Sequence, residues 1–166
     1  PLQFVIPGPN EKQVKKWIKL ALEIITPRGI TNIHDAWQDP ITVKVLKELS
    51  ENKQLPIRVY GMLGSSHPKL LKQFFKDGHV NSNNYSIRSV KAFIDGALGS
   101  RGAALLEPYT DDKNSCGLVL ISADEFKDLA ERCKDAEFQL CTHAIGDRGN
   151  SMVLDIYSDV IQNRKN

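Results

Sequence analysis

Ser89-Val-Lys-Ala-Phe-Ile-Asp-Gly-Ala-Leu-Gly-Ser-Arg-Gly102 is the stretch on which the reading of this chain turns. It starts as an apolar β-strand and ends as a glycine-rich turn. Lys91 lies inside the strand, between Val90 and Ala92, with Phe93 and Ile94 after it. Such a strand is normally buried, and a lysine seldom goes into an interior without a partner. The strand then delivers Asp95 and Arg101 onto a loop. In parallel α/β scaffolds that is where active groups collect, at the C-terminal ends of strands.

Working outward, helices and strands alternate. Apolar residues at Val14, Trp17, Ile18, Ala21, Leu22, Ile24 and Ile25 predict a helix over Glu11 to Ile25, after an extended Pro1 to Asn10. Gly29 to Asp35 reads as a short strand. Asp39-Pro40 reads as the N-cap and first position of a helix faced by Val45, Leu46 and Leu49. Pro56 to Leu63 is a second strand, and Ser66 to Asp77 a helix stopped by Gly78. Ser86 to Asp95 is the third strand.

No period holds from Gly96 to Ile121, and Gly96 to Ser115 is expected to be the most mobile or irregular segment. Ser122-x-x-Glu125 is a capping box opening a helix with Phe126, Leu129, Ala130 and Cys133. Glu137 to Ala144 is the fourth strand, and a last helix begins near Asn150. This order predicts a parallel sheet covered by helices. Four strands fit a small doubly wound sheet or half of a (β/α)8 barrel, which needs about 250 residues. Periodicity alone does not separate them.

Of 166 residues, 41% are hydrophobic and 25% charged, and the net charge is +2 with both signs interspersed. A charge-driven nucleic-acid or membrane partner is therefore not expected. No apolar run is long enough to span a bilayer. The three cysteines, Cys116, Cys133 and Cys141, form no CxxC pair. They read as reduced thiols, Cys133 and Cys141 in the core, with a cytoplasmic location preferred. The chain opens on Pro1, without a starting Met or a leader pattern, and is expected to be a piece of something longer.

The candidate chemistry sits at strand ends. The first ends His34-Asp35, where a metal or substrate contact and a turn cap weigh equally. The fourth ends Thr142-His143 and runs into Gly146-Asp147-Arg148. His143 reads as a ligand rather than a core histidine because of that placement. His67 and His79 read as capping or solvated residues. Lys91 has three readings: a solvated edge residue, a Schiff-base nucleophile, or a lysine carboxylated by CO2. The resulting carbamate could bridge two metals about 3.5–4 Å apart. Gly96 to Gly102 lacks the GxxxxGK[ST] pattern, and Arg101 is an unspecific carboxylate clamp.

Three segments together carry a resemblance: Gly29-Ile-Thr-Asn-Ile-His-Asp-Ala36, Val90-Lys-Ala-Phe-Ile-Asp-Gly-Ala-Leu-Gly-Ser-Arg-Gly-Ala-Ala-Leu-Leu-Glu-Pro-Tyr109 and His143-Ala-Ile-Gly-Asp-Arg148. In order and content they resemble the amidohydrolase 3 family. Its members are metal-dependent hydrolases of the amidohydrolase superfamily, of the N-substituted formamide deformylase and YtcJ-like kind. The resemblance implies a TIM-like (β/α)8 barrel, with residues 1–166 forming about strands two to five of eight. The family's His-x-His strand and its general-base aspartate strand would lie outside.

It implies Lys91, carboxylated or not, and His143 as catalytic metal ligands. Asp95, Arg101, Asp147 and His34 become candidates for substrate contact or for support of the ligands. The reaction implied is hydrolysis of a C–N bond other than a peptide bond, by water activated on one or two divalent metals, zinc expected. The other expected partners are a small-molecule substrate and further copies of the chain in a homo-oligomer. Two alternatives stay open: a Schiff-base lyase using Lys91, and a non-catalytic α/β binding domain.

Overall fold

The computed structural model describes residues 7–162. Its elements are α1 (Glu11–Ile25), β1 (Asn32–Gln38), α2 (Pro40–Glu51), β2 (Arg58–Gly64), α3 (Pro68–Asp77), β3 (Val80–Asn81), β4 (Tyr85–Phe93), α4 (Ala123–Asp135), β5 (Gln139–His143) and α5 (Asp147–Gln162). Single 3₁₀ turns lie at Thr26–Arg28 and Leu98–Ser100. The extended reading of Pro1 to Asn10 falls mostly on residues outside those described.

The alternating order is the expected one, with β1 parallel to β2 and β4 parallel to β5. One strand departs from it. Val80–Asn81 pairs antiparallel with Ser86 and Ile87 of β4. Gly78, at φ +86°, ends α3 and turns the chain straight into this hairpin. Two residues are too short to display a period, so the sequence carries no sign of β3.

The chain folds as two compact units. The first comprises Pro1–Lys72 and His79–Arg88. Its helices start as their caps dictate: Asn10 and Gln13 form a capping box, and the Asp39 carboxylate accepts the Thr42 N–H at 2.7 Å. Val43, Val45, Leu46 and Leu49 of α2 are buried, as are Val59 and Leu63 of β2. Only part of the α1 stripe is covered. Val14 and Leu22 are buried, while Trp17 (54%) and Ile24 (56%) are exposed.

β1 begins three residues later than its pattern suggests and carries a polar core group. Gln38 is fully buried, donates to Asp35 Oδ2 at 2.9 Å and accepts the Tyr85 hydroxyl at 2.6 Å. Gly61 is required beside it, since a Cβ there would lie 2.2 Å from Gln38 Oε1. Burial, reinforced by the Asp35 charge, pushes the Tyr85 phenol far up.

The second unit comprises Gln73–Gly78 and Ser89–Asn166. Here β4 pairs with β5, and Val90, Ala92 and Ile94 are buried. Ser122 and Glu125 cap α4 reciprocally, and α4 buries Phe126, Leu129, Ala130 and Cys133. Cys133 fits the core reading, its thiol pushed up to about 12 chiefly by burial. Cys141 does not: it is only half-buried, like Leu140 and Thr142 on either side of it. All three cysteines are free thiols.

Gly96 to Ser115 is irregular, as expected, yet it is closely tied. Gly96 N and Leu118 N both donate to Gly102 O, Leu105 N donates to Cys116 O, and the Tyr109 hydroxyl donates to Ala103 O.

Candidate functional site

In a strand, residues two apart share a face. In the parallel register Lys91 stands beside Cys141 and Phe93 beside His143. All four therefore face one side of the β4–β5 pair, opposite the buried Val90 and Ala92. The Lys91 Nζ lies 5.0 Å from the centre of the Phe93 ring. The His143 ring lies 5.2 Å from the same centre. Phe93 is thus a shared wall between lysine and histidine. Lys91 is half-buried rather than enclosed, and the aromatic face is the partner that its position in an apolar strand called for.

Asp95 is the buried polar centre of the unit. It is 1% exposed, and both its oxygens are engaged. Oδ2 accepts the N–H groups of Gly146 at 2.7 Å and Ala104 at 2.9 Å, and Oδ1 accepts that of Ile145 at 3.0 Å. Oδ1 also lies 3.7 Å from His143 Nε2, beyond hydrogen-bond reach. Burial alone would raise the carboxyl pKa. The N–H groups of Gly146, Ile145 and Ala104, with His143, outweigh it and hold the group below the ordinary carboxylate value.

The loops after β4 and β5 meet around this carboxylate with no space to spare. A Cβ on Gly146 would lie 1.8 Å from Ala104 O, and one on Gly117 would lie 1.8 Å from Ala103 O. Asp147 continues the clamp: its Oδ1 accepts the N–H of Leu106 and of Arg148, each at 2.8 Å. α5 starts at Asp147, three residues before the start expected near Asn150.

Arg101 and Asp147 line one cleft of about 470 Å³ with Leu105, Glu107, Tyr109 and Asp111. The Arg101 guanidinium reaches Asp111 at 3.1 Å and Asp112 at 3.5 Å, so its charge is already met by the loop's own carboxylates. Arg101 itself holds a left-handed conformation at φ +55°.

Of the residues singled out from sequence, the structure brings together Lys91, Asp95 and His143, and separately Arg101 and Asp147. His34 belongs to the other unit, where it stacks on Tyr60 with ring centres 5.0 Å apart. Asp35, its neighbour, serves Gln38 and is no helix cap; Asp39 is. His67 stands at the start of α3 against Trp37, with ring centres 6.4 Å apart. Phe93 and Ala104 are the participants that residue type did not reveal. Among the described residues no three His, Cys, Asp or Glu side chains cluster as metal ligands. No helix among them is long and apolar enough to cross a membrane.

The fold is shared with solved metal-dependent hydrolases. One, from Pyrococcus furiosus, superposes with a TM-score of 0.82 at 29% identity, covering 92% of this chain and 32% of that one. Another, from Pyrococcus horikoshii OT3, gives 0.81 at 25% identity, with 91% and 31% covered. Both are described as uncharacterized metal-dependent hydrolases. They bear out the reading of parallel βα units of the TIM-like hydrolase type.

In sequence, the chain is 29% identical over 145 residues to Protein LONG AFTER FAR-RED 3 of Arabidopsis thaliana, covering 80% of this chain and 25% of that protein. It is 23% identical over 155 residues to the putative amidohydrolase YtcJ of Bacillus subtilis strain 168, with 90% and 29% covered. The chain thus spans between a quarter and a third of the length of these relatives. Residues 3–166 match the amidohydrolase family throughout, and the chain belongs to that family.

Proposed function

We propose that this chain is a section, about strands two to five of eight, of the catalytic barrel of a metal-dependent hydrolase acting on a non-peptide C–N bond of a small molecule. The observation that carries this reading is that Lys91 and His143 stand on one face of two parallel strands, 5.0 and 5.2 Å from the centre of the same Phe93 ring. A half-buried amine and an imidazole suit a divalent-metal centre, the lysine best as its carbamate: the amine adds CO2, forms an N–C bond and releases one proton. Two donors are fewer than the three that a catalytic zinc site takes from protein. The remaining donors come, in this reading, from the rest of the barrel.

A zinc ion held there would supply Lewis acidity toward the scissile group and an activated water. The chain's own residues do the holding. Lys91 and His143 present donors to one space, Phe93 keeps one wall of it apolar, and the Asp95 and Asp147 clamps fix the loops at its rim. Arg101, with its cleft, and His34 are proposed to contact substrate. Further copies of the chain are the proposed protein partners, and the reduced thiols fit a cytoplasmic setting.

The test uses the intact protein that carries this chain. Amide-type hydrolysis should vanish on chelation and return with zinc. Lys91→Ala should lose activity and regain part of it with a small added carboxylate, which replaces the carbamate oxygens. Borohydride trapping of substrate on Lys91, with no effect of chelation, would replace this reading by Schiff-base chemistry.

A further inference from the structure

We infer that Asp95 is a positioning residue for the His143 imidazole rather than a contact for substrate; this rests on His143 being a metal ligand. The Asp95 side chain is wholly buried, so no substrate reaches it. Oδ2 is spent on two backbone N–H groups, from Ala104 and Gly146. Oδ1 takes the Ile145 N–H and lies 3.7 Å from His143 Nε2, so the carboxylate charge stands beside that nitrogen.

Two effects on His143 follow. The carboxylate favours a proton on Nε2, the nitrogen beside it, which leaves the lone pair of Nδ1 free for a metal. The same carboxylate also pins the backbone of Ile145 and Gly146, two and three residues after His143. The strand end that carries the imidazole is thereby held from the chain side, with the carboxylate charge placed beside the ring. A ligand held in one tautomer and one orientation binds metal more tightly than one that must be ordered on binding.

Gly149 supplies a second handle on the same group. A Cβ there would stand 3.0 Å from Asp95 Oδ2, so Gly149→Ala shifts the carboxylate by a few tenths of an ångström and leaves its charge in place.

The experiment titrates the intact, metal-free protein with Co²⁺ alone, following the visible absorption bands and the dissociation constant. It compares wild type, Asp95→Asn, Gly149→Ala and His143→Gln, with a thermal melt of each. Asp95→Asn should weaken Co²⁺ binding by about 10–100-fold and change the band shape. Gly149→Ala should change the bands with a smaller loss of affinity, and KM in both should stay within about twofold of wild type while kcat falls.

A lowered melting temperature in Asp95→Asn with unchanged bands and affinity would make the carboxylate a backbone clamp only and overturn the inference. A raised KM at unchanged Co²⁺ affinity would make it a substrate contact and do the same. If Asp95→Asn does not fold, unchanged bands in Gly149→Ala overturn the inference. The control separates two failures. Unchanged bands in His143→Gln remove His143 from the metal, and the inference with it. Altered bands in His143→Gln beside unchanged ones in Asp95→Asn remove the inference alone.

Discussion

The Asp95 carboxylate and the Gly146 N–H, 51 residues apart in sequence, meet at 2.7 Å in the interior. This hydrogen bond joins the loop after β4 to the loop after β5. Gly146 is in turn pressed against Ala104 O, so glycine is needed there for close approach rather than for backbone freedom. Two of the three motifs that carry the family resemblance are thus one physical unit, closed by a buried anion and a missing side chain.

Gly146→Ala tests that closure. The added methyl would stand 1.8 Å from Ala104 O and 2.3 Å from its carbon, and both are backbone atoms that cannot swing aside. Overpacking of this sort costs about 1–3 kcal/mol and more where backbone must move. Urea unfolding should show a lower midpoint by at least that amount, with Gly8→Ala, which meets nothing within 4 Å, as the control.

The hydrogen bond from Tyr85 to Gln38 gives a second stability test, in the first unit. Tyr85→Phe keeps the ring but deprives the fully buried Gln38 Oε1 of its donor. An unsatisfied buried acceptor costs about 1–3 kcal/mol. Chemical denaturation should show a loss in that range, and Gln38→Leu in the Tyr85→Phe background should not add the full cost of Gln38→Leu alone, because the two groups are partners.

Local rules made much of this fold legible. α1 runs over Glu11–Ile25 as its stripe indicates, and the caps at Asp39 and Ser122 form the bonds their residue types suggest. The placement of Lys91 and His143 near the C-terminal ends of β4 and β5 was legible because position along a strand is a local property. What stayed hidden depends on contacts distant in sequence. The role of Asp95 needs Ala104, Ile145 and Gly146 to arrive from elsewhere, and the buried Gln38 needs Tyr85, 47 residues on. Cys141 looked like a core residue because an apolar strand does not announce how fully it is covered, and β5 is only half-buried on both faces. Arg101 reads from sequence as an unspecific carboxylate clamp, and its partners stayed hidden because Asp111 and Asp112 sit ten and eleven residues away in a segment without period.

Cys133 sets an alkaline limit on stability. Its thiol is buried and its pKa is raised from 9.0 to about 12, first by burial, against the pull of Arg132. Its folded value lies above its unfolded one, so its contribution is complete below pH 9. It is lost as the pH climbs from 9 toward 12, because only the unfolded chain releases the proton there. Stability measured across that window should fall with pH, and Cys133→Ala should flatten the fall while lowering stability at pH 7. A thiol reagent at pH 8 should leave Cys133 unmodified until the protein unfolds.

The 166-residue chain by itself should associate and hold zinc weakly. Trp17, Leu20 and Ile24 of α1 are each at least 45% exposed, as are Leu98, Leu106, Leu118 and Leu120 in the second unit. Exposed apolar groups in such number mark surfaces that other protein covers. Lys91 and His143 offer one site two donors, where a catalytic zinc takes about three from protein. Light scattering on the purified chain should report a mass above 18.6 kDa that rises with concentration. Metal analysis after dialysis should find well under one zinc per chain. A monodisperse monomer retaining one tightly bound zinc would show that this chain completes a metal site unaided, and the reading of it as one section of a larger barrel would then be wrong.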